Sequence, residues 1–187
     1  MPVEQAPHVH RPAVAGLQSI ARATRQDLLS QARSLRRISS ASPAVYELRS
    51  KQNLAADAKH LKTLPEMPSV YVFEFLDTLA CQEAHAAFAR LKPTISYSPS
   101  VNRYITGTRT IYVGKSARGK LGDRMTEHLL GASTTYGLRL QSWIPSACFP
   151  IHMTYVQFPD LELDIVAGME AMLWKGMLPI LGQRGGR

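Results

Sequence analysis

The stretch "TIYVGKSARGKLGDRMTEH", residues 110–128, joins a short apolar segment to a basic one through a glycine. The β-branched and aromatic residues at its start predict a strand over Arg109–Val113. Gly114 is expected to end this strand, and a helix is expected from about Leu121 to Leu130. The stretch therefore predicts a strand, a turn and a helix in immediate succession.

The same corner carries side chains that suit a phosphate group. Unpaired N–H groups and the helix dipole favour an anion where a turn enters a helix. Arg124 and His128 lie four positions apart, so they share one helix face, and Arg124 offers a fork that fits two phosphate oxygens. Lys115 adds a mobile positive charge. Each residue also has an ordinary alternative, with Arg124 paired to a surface acid and His128 solvated, and both interpretations stay open at this point.

The composition favours a nucleic-acid partner. The 187 residues are 45% hydrophobic, which is enough for one ordinary domain with a core. The formal net charge of +8 favours a polyanion, most often nucleic acid and less often an anionic membrane surface. Cys81 and Cys148 suggest neither a disulfide framework nor a metal-ligand pattern. With no secretory segment and no long apolar run, we expect a cytoplasmic protein of bacterial or phage-like intracellular type, with no membrane partner.

A basic helical extension is predicted ahead of the main domain. Residues 1–12 are polar and contain prolines, which favours a disordered tail. Residues 13–64 are expected to hold two helices, over 13–38 and about 44–61, separated by "SSASP". The basic residues that lie mostly off the apolar stripe of the first helix include Arg33, Arg36 and Arg37. These residues indicate one of two things. Either they form a solvated face of the helix, or the helix is a basic arm that follows a nucleic-acid backbone or packs against a second subunit.

Residues 65–187 are expected to form the main domain, in which strands and helices alternate. Strands are predicted over Val70–Leu76, Arg109–Val113 and Phe149–Phe158. The link over 77–110 is expected to be an insertion that contains a helix, with Asp77 or Thr78 as its N-cap. A last helix follows the third strand. The simplest α+β arrangement of these elements is a small three-stranded, mostly antiparallel sheet flanked by helices.

Glu170 is an acid in a mostly apolar stretch of the last helix. Its neighbours three and four positions away are Val166, Ala167, Leu173 and Trp174. A bare carboxylate is costly to bury, so Glu170 needs a partner. A salt bridge to one of the many basic residues is one solution. A hard divalent cation, completed by water and a substrate phosphate, is the other.

Together these residues resemble the GIY-YIG nuclease superfamily. The two strand motifs that name the family correspond to Ser69-Val70-Tyr71 and Tyr112-Val113-Gly114. The family's helix arginine, the histidine or tyrosine one turn later and the metal-binding glutamate fall on Arg124, His128 and Glu170. Lys115 matches a lysine of the excision-repair branch and of some restriction-enzyme branches. The resemblance covers about 67–182, and the ordered set of motifs is far more specific than any one of them.

The resemblance implies a metal-dependent endonuclease that hydrolyses DNA phosphodiester bonds, closest in layout to the restriction-enzyme branch. The implied catalytic residues are Tyr71, Tyr112, Lys115, Arg124, His128 and Glu170. Glu170 would hold Mg²⁺ or Mn²⁺, and Tyr71 would align the attacking water or accept its proton. Arg124 would stabilise the phosphate charge, while Tyr112 and His128 would orient water and phosphate or relay the proton. The implied nucleic-acid contacts are Lys115, Arg118, Lys120, Arg124, Arg33, Arg36 and Arg37.

Three departures from the family pattern keep other functions open. Ser69 replaces the first glycine, the link between the motifs is long, and Gly182 stands where the family has an asparagine, with Gln183 beside it. A nucleic-acid-binding module with impaired catalysis is the main alternative, and a basic scaffold without a nucleic-acid role is a weaker one. DNA is the expected partner, with RNA as an alternative. Repair, mobile-element and toxin-like nucleases fit the same scaffold. A homodimer is one way for a single site per chain to cut both strands.

Overall fold

The computed structural model describes most of the chain after residue 40. The described residues are 41–94, 99–116, 120–131, 136–159 and 161–183. All of them belong to one compact unit. Outside the described residues lie the predicted tail over 1–12, the predicted helix over 13–38 with Arg33, Arg36 and Arg37, and also Arg118.

A four-stranded sheet forms the centre of the described fold. Its strands are β1 (Ala44–Leu48), β2 (Ser69–Phe75), β3 (Thr110–Ser116) and β4 (Ile151–Gln157). Their order across the sheet is β1-β4-β2-β3, and every neighbouring pair is antiparallel. The helices are α1 (Leu54–Leu61), α2 (Thr78–Leu91), α3 (Leu121–Leu129), α4 (Leu140–Trp143) and α5 (Leu163–Met177). The predicted α+β class is confirmed. No helix in the described part of the chain is long and apolar enough to cross a membrane.

The prediction of three strands is wrong, because the segment Ala44–Leu48 was expected to begin a helix and instead forms β1. Each of its residues pairs with a residue of β4. Leu48 is fully buried in the core while Val45 is 62% exposed, as the alternation of a strand requires. The pairing partners lie more than one hundred residues further along the chain, so no local pattern could indicate them. The predicted helix is correct only from Leu54 onward.

The prediction that Gly114 ends its strand is also wrong. Gly114 pairs with Tyr71 of β2, and the strand continues through Lys115 to Ser116. Glycine weakens a strand interior and often marks a place where other groups approach the backbone closely. The start of α2 agrees with the sequence, since Asp77 caps it by accepting a hydrogen bond from the backbone N–H of Ala80 at 2.7 Å.

The two faces of the sheet carry different helices. Tyr71, Phe73 and Phe75 of β2 point into the main hydrophobic core, to which α1, α2, α3 and α4 contribute buried side chains. The alternate residues Val70 and Val72 point to the opposite face, where α5 packs against β2 and β3. Because β3 is the last strand in the sheet, groups from both faces can meet at its outer side.

The C-terminal segment covers the start of this edge strand. The backbone N–H groups of Ile180 and Leu181 donate to the carbonyls of Thr110 and Ile111, each at 3.0 Å. The N–H of Gly182 donates to the carbonyl of Ser100 at 2.9 Å, which ties the same segment to the predicted insertion over 77–110. The candidate site residues of β3 lie further along the strand, from Tyr112 to Lys115.

The membership of β1 in the core can be tested by a matched pair of truncations. We expect Leu48→Ala to lower the free energy of unfolding by about 2–5 kcal/mol, because it removes a fully buried side chain. Val45→Ala on the same strand should change it by less than about 0.5 kcal/mol, because that side chain is mostly exposed. Urea denaturation followed by circular dichroism measures both. Equal effects of the two changes would contradict the assignment of β1.

Candidate active site

The rings of Tyr71 and Tyr112 lie against Gly114. Tyr71 is the cross-strand partner of Gly114, and Tyr112 lies two residues before it on the same face of β3. A β-carbon at Gly114 would be 2.6 Å from the Tyr71 hydroxyl oxygen and 2.6 Å from Cε1 of Tyr112. The two rings are stacked, with centroids 6.3 Å apart. Only glycine at this position allows both rings to occupy these places.

His128 of α3 completes an aromatic cluster with these two tyrosines. Its ring is fully buried, with centroids 5.4 Å from Tyr71 and 5.0 Å from Tyr112. Its Nε2 lies 2.8 Å from the Tyr71 hydroxyl oxygen, and its Nδ1 accepts a hydrogen bond from the backbone N–H of Leu138 at 3.0 Å. Burial, together with the positive charge of Arg124, lowers the pKa of His128 well below its usual value. The imidazole is therefore neutral near pH 7, and the alternative of a solvated histidine is excluded.

Arg124 lies one turn before His128 and is held by two acceptors. Its Nη1 donates to Oε2 of Glu127 at 2.5 Å, and its Nη2 donates to the carbonyl of Tyr136 at 3.3 Å. The alternative of an acid partner for Arg124 is thus correct, but the side chain is only 24% exposed and its charge also acts on Tyr71. Arg124 is therefore a partly buried cation beside the aromatic cluster.

Both tyrosines of the cluster are phenols near neutral pH. Burial raises the pKa of Tyr71 well above that of a free tyrosine, and the neighbouring Tyr112 adds to the effect. Burial likewise raises the pKa of Tyr112. The Arg124 guanidinium acts in the opposite direction on the pKa of both groups. A further cation near the cluster would favour the phenolate form for the same reason.

Glu170 of α5 is paired with Lys115 on the other face of β3. Lys115 follows Gly114 in the strand, so its side chain leaves the face opposite the tyrosines. Its Nζ donates to Oε2 of Glu170 at 2.7 Å, and Glu170 is only 4% exposed. Burial raises the pKa of Glu170, while the hydrogen bond and charge of Lys115 lower it. The salt bridge that the sequence offered as one solution for this buried acid is present.

The carboxylate of Glu170 is also the candidate metal ligand. Its charge adds to the rise in pKa of both Tyr71 and Tyr112, which places it within electrostatic reach of the aromatic cluster. Among the described residues, no group of three or more His, Cys, Asp or Glu side chains could hold a metal ion. One carboxylate completed by water and substrate phosphates is a common Mg²⁺ environment. The donor chemistry fits such a site, with Oε2 shared with Lys115.

Gly182 and Gln183 are the residues at which the sequence departs from the last motif of the expected pattern. Gly182 has a φ of 101°, and a β-carbon there would lie 2.8 Å from Cε2 of Tyr112. Gln183 donates from Nε2 to the hydroxyl oxygen of Ser100 at 2.8 Å. Gly182 therefore leaves room for the Tyr112 ring, and the Gln183 amide is directed to Ser100 within the predicted insertion. Lys120 is exposed at the N-terminus of α3.

Three residues around the cluster were missed by the sequence reasoning. Glu127 could have been found, because it lies three positions after Arg124 on the same helix, where opposite charges pair. Gly137 allows its backbone to lie close to that of Glu127, and Leu138 donates its backbone N–H to His128. Neither contact has a sequence signature. Both residues lie on the segment that follows α3 and contacts it.

The fold and the site define an α+β protein with an aromatic cluster and a partly buried arginine on one face of an edge strand, and a lysine–glutamate pair on the other. No family model, no curated protein and no solved structure matches the chain. The site's own geometry and chemistry therefore carry the argument about function.

The packing of the two tyrosines against Gly114 leads to a stability prediction. We expect Gly114→Ala to destabilise the protein by about 1–3 kcal/mol, because the added methyl group overlaps both rings. The matched change Gly176→Ala should be neutral or slightly stabilising, because a β-carbon there meets nothing within 4 Å and alanine favours the helix. Thermal unfolding and near-ultraviolet circular dichroism measure the two effects. A Gly114→Ala protein as stable as Gly176→Ala would show that the rings do not lie on Gly114.

The buried neutral imidazole leads to a pH prediction. Below about pH 6.5 the unfolded chain protonates residue 128 while the folded chain, in which the pKa of His128 is lowered, does not. The free energy of unfolding should therefore fall as the pH decreases, by up to about 1.4 kcal/mol per pH unit for this group. His128→Gln should remove that part of the slope, whereas the change of an exposed histidine, His60→Gln, should leave it in place. Urea titrations between about pH 5 and 8 measure the slope, and an unchanged slope in His128→Gln would contradict the assignment.

Proposed function

We propose that the chain is a divalent-metal-dependent endonuclease that hydrolyses phosphodiester bonds in DNA. The observation that carries the proposal is that β3 holds the aromatic cluster and Arg124 on one face and the Lys115–Glu170 pair on the other, with the charge of Glu170 within electrostatic reach of both tyrosines. These groups supply a cationic fork, phenols and a buried carboxylate at one strand edge, and they match the ordered motifs of the GIY-YIG nucleases. The net charge of +8 favours a polyanionic substrate.

The guanidinium of Arg124 would act on the scissile phosphate. It is a planar donor fork that stays charged, and a partly buried position strengthens its interaction with the charge that develops on phosphorus-bound oxygens. Its partners, the Glu127 carboxylate and the Tyr136 carbonyl, hold the fork in place before substrate binds. The phosphate oxygens would add to this set of acceptors or take the place of one of them.

The Tyr71 hydroxyl would align the attacking water or accept its proton. As a phenol with a raised pKa it aligns water through hydrogen bonds, and as a phenolate it is a base. The phenolate becomes accessible only where added positive charge outweighs the effect of burial. Arg124 supplies part of that charge, and Tyr112, stacked on Tyr71, limits the positions that water can take.

A divalent ion, Mg²⁺ or Mn²⁺, would be held by Glu170 and would add Lewis-acid stabilisation of the phosphate when bound. Lys115 has a second role in this arrangement. Its ammonium group neutralises the Glu170 carboxylate. A substrate phosphate that attracts Lys115 would therefore leave Glu170 more available to the metal ion. Lys115 thus links the phosphate site to the Glu170 carboxylate on α5.

The restriction-type role is a narrower form of the proposal. It rests on the length of the chain, the predicted basic extension and the long link between the two motifs, which resemble that branch. One such site cuts one strand, so cleavage of a duplex would need a homodimer or two successive nicks. RNA is the alternative substrate for the same phosphate chemistry.

A nucleic-acid-binding module with impaired catalysis is the second candidate. The observation that favours it is Gly182, which supports Tyr112 where the family has an asparagine, while the neighbouring Gln183 amide is bound to Ser100. In that case the basic surface would bind the phosphate backbone without cutting it, and binding would weaken steeply with salt.

A plasmid-nicking assay separates the two candidates. With Mg²⁺ or Mn²⁺ we expect the wild type to relax supercoiled DNA, and Glu170→Gln or Arg124→Ala to lose about 10²-fold or more of the rate, because each removes a group that stabilises the transition state. The exposed controls Glu66→Gln and Arg90→Ala should retain activity. Salt-sensitive binding to DNA without cleavage in any metal would favour the binding module. Cleavage that survives both site variants would overturn the site assignment.

A further inference from the structure

The segment Tyr136–Leu138 lies directly along α3, and Gly137 makes this approach possible. A β-carbon at Gly137 would clash with the carbonyl oxygen of Glu127 and lie 2.8 Å from its carbonyl carbon. The segment is anchored on its other side by Trp143 of α4, whose Nε1 donates to the carbonyl of Leu138 at 2.6 Å. Both Leu138 and Trp143 are buried. The backbone of this segment is therefore held between two helices.

Two backbone groups of the segment contact the two functional side chains of α3. The carbonyl of Tyr136 accepts a hydrogen bond from Arg124 Nη2 at 3.3 Å, and the N–H of Leu138 donates to His128 Nδ1 at 3.0 Å. A backbone amide can only donate, so Nδ1 must present its lone pair. In a neutral imidazole the ring proton is then on Nε2.

The position of that proton decides the direction of the hydrogen bond to Tyr71. His128 Nε2 lies 2.8 Å from the Tyr71 hydroxyl oxygen, so Nε2–H donates and the tyrosine oxygen accepts. The full burial of His128 supports the neutral form, because burial disfavours the charged ring. The hydroxyl proton of Tyr71 is consequently directed away from His128.

We infer that Tyr136–Leu138 is a positioning segment that fixes His128 as a hydrogen-bond donor to Tyr71, so that His128 does not receive the proton of the attacking water. The inference deepens the proposed function and rests on it for its catalytic meaning. Where added positive charge has released the Tyr71 proton to solvent, the Nε2–H of His128 stabilises the phenolate. As water attacks phosphorus and the bond to the leaving oxygen breaks, the phenolate oxygen takes one water proton and becomes a phenol again, while the leaving oxygen takes a proton from solvent. Where Tyr71 remains a phenol, its hydroxyl aligns the water and the water proton passes to solvent.

The tautomer can be measured without any cleavage assay. In the ¹⁵N-labelled full-length chain, long-range ¹H–¹⁵N spectra identify which ring nitrogen of each histidine is protonated, and His128→Gln assigns the His128 signals by their absence. Near neutral pH we expect His128 to carry its proton on Nε2 alone. Gly137→Ala should shift His128 toward a mixture of tautomers, because the added methyl group moves Leu138 off α3, whereas Gly176→Ala should leave the signals unchanged. A proton on Nδ1 in the wild type would overturn the inference.

Two substitutions of His128 test whether this residue acts as a hydrogen-bond donor or as a proton acceptor during cleavage. The glutamine of His128→Gln has an amide that can donate near the position of Nε2, while His128→Leu has a similar volume and no donor. We expect nicking by His128→Gln to stay within about tenfold of the wild type and by His128→Leu to fall by about 10²-fold or more, the range for removing one hydrogen-bond donor to a developing negative charge. Equal losses in the two variants would assign proton transfer to His128 and overturn the inference. If the wild type cuts no nucleic acid, the proposed function fails while the tautomer result still stands.

Discussion

The close approach of two tyrosine rings to Gly114 is the constraint on which the site depends. Any side chain at this position would overlap the Tyr71 hydroxyl and the Tyr112 ring. The constraint also fixes the register of β2 and β3, because a slip of one residue would place Val113 or Lys115 opposite Tyr71 and turn Tyr112 to the other face. The cluster with His128 therefore exists only in the observed register. A glycine that looks like a strand terminator in the sequence is instead the centre of the site.

The same strand separates two ion pairs, and in each pair the charge of one side chain is neutralised by its partner. On one face the Arg124 guanidinium is paired with Glu127, and on the other Glu170 is paired with Lys115. Burying either charge without its partner would be costly, so these pairs are expected wherever the site is folded. The alternatives of an ion pair and a phosphate site are thus compatible. A phosphate would enter by exchanging partners with groups that are already held in position.

The sequence predicted the elements whose determinants lie within a few residues and failed where they lie far apart. Asp77 as a helix cap and the shared face of Arg124 and His128 follow from local spacing. β1 depends on pairing with β4, whose residues lie more than one hundred positions away, and so it was predicted as helix. The hydrogen bond from Leu138 to His128 comes from the backbone, which is the same in every non-proline residue. No residue type at position 138 could have indicated it.

Gly182 must be considered together with its neighbours, because the backbone at this position and the Tyr112 ring constrain each other. Its φ of 101° and the 2.8 Å approach of the Tyr112 ring mean that an asparagine could not be placed here without moving that ring. The position of Tyr112 and the glycine at 182 are therefore one feature, because the ring lies where a side chain at 182 would begin. The glycine at 182 is then evidence about where Tyr112 lies. The other parts of the site are held by contacts that do not involve residue 182: the Tyr71–His128 hydrogen bond, the Lys115–Glu170 pair and the Arg124–Glu127 pair.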